Sequence, residues 1–301
     1  MDTYADILED LGDRNAPASA ADFRTIAIYY EQQQQDGGSS KGQHLLKAGK
    51  FYVLAKLYKK GVKLLLQAAA AASASPEEEA DALELAIEAA AAARDEQITR
   101  LVLDFLMGES DIGNGGNGGN GSNGGGGVGD GLPKDFKYLF KLYMKMEYYK
   151  EAAKTAVIIS REEQAQGNYR NAHQLLFGMC SELRRHGIAI PPEMTDGLLL
   201  VHSYMLAKLW IRAGNHKNSV KLLLRVGDNI GQFPAHATQI LTTLVIECQR
   251  AGYPKTALKY AQLLMKPESR EKVDAKFRRK IETLVRKSAG VVVTPEELDK
   301  E

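Results

Sequence analysis

The chain has 301 residues, of which 44% are hydrophobic, 26% charged and 7% aromatic, enough for about two domains and a sizeable core. Its 39 Lys and Arg against 38 Asp and Glu leave a net charge of +1, which excludes the positive excess that bulk nucleic-acid or anionic-membrane binding requires. Two cysteines, Cys180 and Cys248, exclude a disulfide-stapled scaffold and fit a reducing compartment.

Acids at Asp2, Asp6, Glu9, Asp10 and Asp13 interrupt the start of the chain where a secretory h-region would lie. The most apolar run, Leu198 to Ile211, is broken by His202 and Lys208 and is too short to span a bilayer. A soluble intracellular protein is the expectation.

In chain order, apolar periodicity predicts helices at 3–11, 20–34, 43–56, 59–72, 77–93 and 95–107, with a polar loop over Gln32–Gly42. Ser75-Pro76-Glu77-Glu78 reads as N-cap, N1 proline and capping-box acid. Of the 28 glycines, 12 fall between Gly113 and Gly131, so 109–132 is predicted to be a disordered loop with almost nothing apolar to offset ordering. A phosphate cradle is not expected there, since Gly129-Asp130-Gly131-Leu132-Pro133 supplies an acid where a P-loop needs Lys-Ser/Thr. Further helices are predicted at 134–146, 149–165, 169–187, 193–213, 216–229, 235–250, 254–266, 268–287 and 295–300. Only Val291–Val293 looks strand-like.

One hairpin pattern recurs. Residues 49–66 and 207–224 align without gaps and share 8 of 18 residues, among them Val-Lys-Leu-Leu-Leu at 62–66 and 220–224. Weaker copies of its turn surround Tyr148, Gly167 and Gly252. Gly167, Gly214 and Gly252 are candidate turn residues, because glycine adopts a positive φ at a helix C-cap without strain. A small residue early in the next helix would let two backbones approach. Repeated helix–turn–helix units of this kind predict an all-α, tetratricopeptide-like α-solenoid.

Residues that could carry chemistry are scattered. His44, His173, His186, His202, His216 and His236 include no i,i+4 pair, and neither cysteine lies in a C-x-x-C, so no metal site is expected. His202 shares a face with Leu198, Met205 and Leu209 and reads as a hydrogen-bonded core histidine. Cys180 and Cys248 read as packing residues. No nucleophile elbow or dinucleotide fingerprint occurs, and no catalytic residue or cofactor is assigned. Charge is uneven, with eight acids against Arg94 in 77–96, and eight bases against four acids in 268–287. Both read as solvated helix faces, while Lys276, Arg278, Arg279 and Lys280 also form a candidate docking strip for an acidic partner.

The stretches KYLFKLYMKMEYYKEAAKTAVIISREEQAQGNYRNAH (137–173), FPAHATQILTTLVIECQRAG (233–252) and LLMKPESREKVDAKFRRKIETLVR (263–286), with DTYADILED (2–10) and FYVLAKLYKKGVKLLL (51–66), resemble the intraflagellar transport protein 144 family. The likeness runs from about residue 2 to 287, with the Gly/Asn tract as an insert. It implies a C-terminal portion of a WD-repeat subunit of intraflagellar transport complex A, without that family's propellers or zinc-binding cysteines. The implied role is a non-catalytic scaffold for retrograde ciliary transport and import of membrane proteins. Implied partners are other complex A subunits and, indirectly, complex B, dynein-2 and a tubby-like adaptor, with no nucleic acid. The implied location is the cilium or flagellum, basal body and cytoplasm. Helical repeats are expected at 1–108 and 133–287 as one solenoid, with a tail over 288–301. The alternative is a vesicle-coat-like, acidic-lipid-binding or nucleic-acid-binding module using the basic helix 268–287.

Overall fold

The computed structural model describes residues 20–33, 41–71, 75–109 and 133–288. The helices predicted at 3–11 and 295–300, the run Val291–Val293 and the Gly/Asn tract beyond Glu109 lie outside them. All regular structure among the described residues is helical. The chain divides into two compact units, residues 1–155 and 156–301. In the first unit lie α1 (Ala20–Gln33), α2 (Lys41–Leu54), α3 (Tyr58–Ala70), α4 (Pro76–Ala93), α5 (Glu96–Met107) and α6 (Phe136–Lys145). Helix α7 (Tyr149–Gln166) contains the division. The second unit holds α8 (Tyr169–Arg185), α9 (Pro192–Arg212), α10 (His216–Asp228), α11 (Ala237–Ala251), α12 (Pro254–Leu264), α13 (Pro267–Arg270) and α14 (Ala275–Ser288).

Helices pack on their sequence neighbours. In the first unit α1 lies on α2, α2 on α3, α3 on α4 and α4 on α5, while α6 returns to α4. In the second unit α8 lies on α9, α9 on α10, α10 on α11, α11 on α12, and α12 on α14. Each unit is therefore all-α, a run of hairpins of α-solenoid type in which one pair covers the apolar face of the next.

The turns follow from hydrogen-bond demand at helix ends. Eight of the described helices end with a residue in the left-handed region: Lys56, Arg94, Gly108, Glu147, Gly167, Gly187, Gly214 and Gly252. In all but Arg94, the following N–H reaches back five residues to a helical carbonyl, at 2.7–2.9 Å, as in Asn215 to Trp210 and Tyr253 to Cys248. These Schellman bonds satisfy carbonyls that the helix leaves orphaned. After Lys56, Glu147, Gly167, Gly214 and Gly252 the next helix starts two residues later. Lys56 (φ 60°) and Glu147 (φ 62°) hold this conformation despite a Cβ. Lys56→Gly and Glu147→Gly are each expected to stabilise by about 0.5–1 kcal/mol, the αL strain less glycine's extra chain entropy. Urea melts of the single variants check this, and Gly214→Ala should move the midpoint the other way.

The fourth residue of each helix after such a turn is small and fully or almost fully buried: Gly61, Ala152, Ala172, Ser219 and Ala257. Leucines then fill the face beyond, with Leu65, Leu66 and Leu176 fully buried and Leu223 at 1% exposure. In the first unit Tyr30 stacks on Phe51 at 6.0 Å and Phe23 on Phe51 at 6.4 Å, which locks α1 to α2. In the second, Tyr169, Tyr204 and Phe233 pack edge-on or tilted with centroids 5.0–5.4 Å apart. The predicted capping box is formed: Ser75 Oγ accepts from the Glu78 N–H at 3.2 Å and Glu78 Oε2 accepts from the Ser75 N–H at 3.1 Å.

Two expectations need correction. The helix predicted over 268–287 is broken at 271–274 into α13 and α14. Val273 drops into the core at 2% exposure, and Asp274 Oδ1 accepts the Lys276 N–H at 2.9 Å, so a local cap competes with helix continuation. His202 is exposed, because the buried stripe of α9 runs through Val201, Tyr204 and Ala207.

Candidate interaction surface

Part of the acidic face of α4, while remaining solvated, forms a charged seam: Glu84 and Glu88 keep 52% and 63% of their side-chain surface. Lys134 pairs with Glu79 at 2.9 Å, Lys141 with Glu84, and Lys145 with Glu88 at 3.5 Å. These lysines come from the segment beyond the Gly/Asn tract, which docks α6 on α4. Its entry is fixed by the Lys134 N–H on the Leu106 carbonyl at 2.9 Å. Sequence spacing could not reveal this seam, since its partners lie on helices separated by an insert. Isolated exposed pairs contribute about 0–1 kcal/mol each, so the seam sets register more than stability.

The second unit contains a buried polar cluster that resembles a hydrolytic constellation. Glu247, 1% exposed, meets His216 Nδ1 at 2.7 Å, Ser219 Oγ at 3.0 Å and an Arg250 guanidinium nitrogen at 3.1 Å. A nucleophilic triad needs the serine hydroxyl on the imidazole. Here Ser219 and His216 share the same carboxylate oxygen, and Ser219 Oγ also lies 2.9 Å from the His216 carbonyl. The arrangement ties the start of α10 to α11.

Both thiols are buried. Burial, with the Glu247 charge beside it, pushes Cys248 up to about 11, far from the thiolate that reactivity requires. Among the described residues, no group of three or more His, Cys, Asp and Glu side chains is placed to hold a metal ion. No described helix is long and apolar enough to cross a membrane.

The four residues of the basic strip fall on α14 with different roles. Lys276, Arg279 and Lys280 are exposed. Arg278 turns toward the break before α14, donating to the Glu271 and Val273 carbonyls at 3.0 and 2.9 Å. Arg270 is paired with Glu282 at 2.7 Å. Gly167, Gly214 and Gly252 sit in the turns, with φ of 87°, 72° and 82°.

One concave site was missed at the sequence level. A cleft of about 470 Å³ lies between the start of α8 and the end of α9. It is lined by Arg170, Lys208 and Arg212, by Asn168 and Asn171, and by Tyr169, Tyr204, Met205 and Leu209. Lys208 Nζ lies 4.3 Å over the Tyr204 ring. Burial, and Arg212 beside it, hold the Lys208 ammonium below its ordinary range. A signal was available: no acid stands three or four positions from Arg170, Lys208 or Arg212, so no intrahelical ion pair offsets them.

No protein-family model matches the chain. It is 41% identical over 287 residues to WD repeat-containing protein 19 of Mus musculus and to that of Homo sapiens, covering 95% of this chain and 18% of each relative. It is 33% identical over 241 residues to WD repeat-containing protein dyf-2 of Caenorhabditis elegans, covering 80% of this chain and 15% of that protein. The chain thus spans less than a fifth of the length of these relatives.

Proposed function

From a chain that is a homologous segment of the WD repeat-containing protein 19 family along 95% of its length, we propose a non-catalytic scaffold module of an intraflagellar transport complex A subunit. The observation that carries this reading is the identity over nearly the whole chain, joined to an architecture of stacked hairpins that offers ridges and grooves to other proteins. The buried polar groups support it too, since the Glu247 cluster serves to join helices. In this reading the two runs of hairpins act together in ciliary retrograde transport and membrane-protein import. They hold other complex A subunits, and through them meet complex B, dynein-2 and a tubby-like adaptor. The protein then works in the cilium, at the basal body and in the cytoplasm.

Pull-down of the other complex A subunits with the full subunit, with and without this segment, tests the reading. The segment's deletion should cost at least one partner; unchanged recovery of every partner overturns it. The strip on α14 is part of the proposal. Charge reversal at Lys276, Arg279 and Lys280 should remove one protein partner only. Binding of vesicles or RNA that falls steeply with salt and vanishes on reversal would instead favour the acidic-lipid or nucleic-acid reading.

A further inference from the structure

We propose that the cleft between α8 and α9 is a docking groove for an extended acidic peptide of a partner protein. The inference rests on the scaffold reading and names what one of its surfaces recognises.

Charge complementarity comes first. Arg170, Lys208 and Arg212 line the cleft and no acid does. Glu163 meets the lining through Asn171, accepting from its Nδ2 at 3.2 Å. Lys208 and Arg212 lie one turn apart on α9, where like charges repel. A carboxylate between them relieves that repulsion.

The polar groups of the lining point to a peptide rather than to a phosphate. Tyr204 is 7% exposed, and its hydroxyl makes no hydrogen bond among the described residues, whereas Tyr169 reaches His236 Nδ1 at 3.1 Å. That hydroxyl is therefore open to the cleft, where it can donate to or accept from an occupant. Asn168 and Asn171 each give one amide N–H, to Gln166 at 3.3 Å and to Glu163, which leaves one N–H donor and one oxygen acceptor on each, the pairing that a peptide backbone answers. A phosphate dianion offers acceptors no donor; a peptide backbone offers an N–H at every residue. Met205 and Leu209, the latter 56% exposed, add apolar surface for a side chain between the acids. Gly167, with φ of 87°, ends α7 at the rim and brings Asn168 beside the start of α8.

Selection of a random 12-residue phage-displayed peptide library on the 301-residue chain tests this. The expected winners are rich in Asp and Glu around a Leu-like residue. Fluorescence anisotropy with the winning peptide should show binding about tenfold or more weaker for Lys208→Glu/Arg212→Glu, at roughly 1 kcal/mol per exposed charge. Lys208→Gln should weaken it less, and unchanged thermal melts should show that both variants fold. Winners without acidic bias, or affinity unmoved by the reversal, overturn the proposal. So does a cleft-dependent capture of vesicles carrying phosphatidylinositol bisphosphate with no peptide selected. The scaffold reading fails separately, if complex A subunits are recovered equally without the segment.

Discussion

Replacing His216 and Arg250 together by alanine is expected to destabilise the second unit by about 3–5 kcal/mol, because it strands a buried carboxylate. The Glu247 side chain is only 2% exposed, and its partners His216 and Arg250 approach to 2.7 and 3.1 Å. Arg250 is 57% exposed, so water already screens it, and alone it should contribute about 1 kcal/mol or less. His216, 32% exposed and closer, carries more of the effect. After both are removed only the Ser219 hydroxyl remains on the carboxylate. Glu247→Met removes the charge instead and leaves His216 and Arg250 free to hydrate. That variant should lie within about 1–2 kcal/mol of the parent, since apolar replacement of a buried ion is often neutral. Urea melts of the 301-residue chain compare the double variant and Glu247→Met with the parent, and a double variant as stable as the parent would mean that Glu247 is hydrated.

Much of this fold was legible because the signals are local. Ser75 and Glu78 announce a helix start three residues apart, and the buried small residues at 61, 152, 172, 219 and 257 stand at a fixed distance from their turns. The glycine signal was incomplete: Lys56 and Glu147 take the same left-handed position, held there by the backbone bonds of Leu57 to Tyr52 and Tyr148 to Tyr143, which glycine counting does not register. The break before α14 was hidden because Val273 fits a helical stripe as well as it fits a buried turn. His202 was misplaced by a choice between two apolar stripes on α9. Instead of joining the core it stacks on His173, 5.2 Å between ring centroids, on the exposed side, and is hydrogen-bonded as expected, its Nδ1 3.0 Å from His173 Nε2. What sequence could not convey is which charges meet across helices. The lysines of α6 on the acids of α4 look from the sequence like two unrelated solvated faces, and the α8–α9 cleft exists only once the turns have placed Asn168 beside Arg212.

The other large effect is expected at the crossing of α2 and α3. A Cβ on Gly61 would stand 3.0 Å from the Gly49 carbonyl oxygen, 3.1 Å from the Val53 nitrogen and 2.8 Å from Val53 Cγ2. Two of those atoms are backbone and cannot swing aside. Gly61→Ala sets a helix-propensity gain of about 1 kcal/mol against overpacking of about 1–3 kcal/mol, so it should be mildly destabilising. Gly61→Val adds two further carbons at the same place and should cost about 3 kcal/mol or more. Gly49→Ala meets Leu65 Cγ at 2.7 Å and the Gly61 carbonyl oxygen at 3.2 Å, and Leu65 is fully buried, so its cost should be comparable with that of Gly61→Ala. The matching hairpin of the second unit explains why the site is specific. There the aligned residues are Ala207 and Ser219, both fully buried, so that crossing already accommodates a Cβ on each helix, and the Ser219 hydroxyl is used on Glu247. Ser219→Gly should still cost about 2 kcal/mol, from the hydrogen bond lost to a carboxylate and glycine's lower helix propensity, although it installs the residue that position 61 requires. Differential scanning calorimetry of Gly61→Val, Gly49→Ala and Ser219→Gly gives the ranking, and a Gly61→Val melt coincident with the parent would show that α2 and α3 can separate without loss.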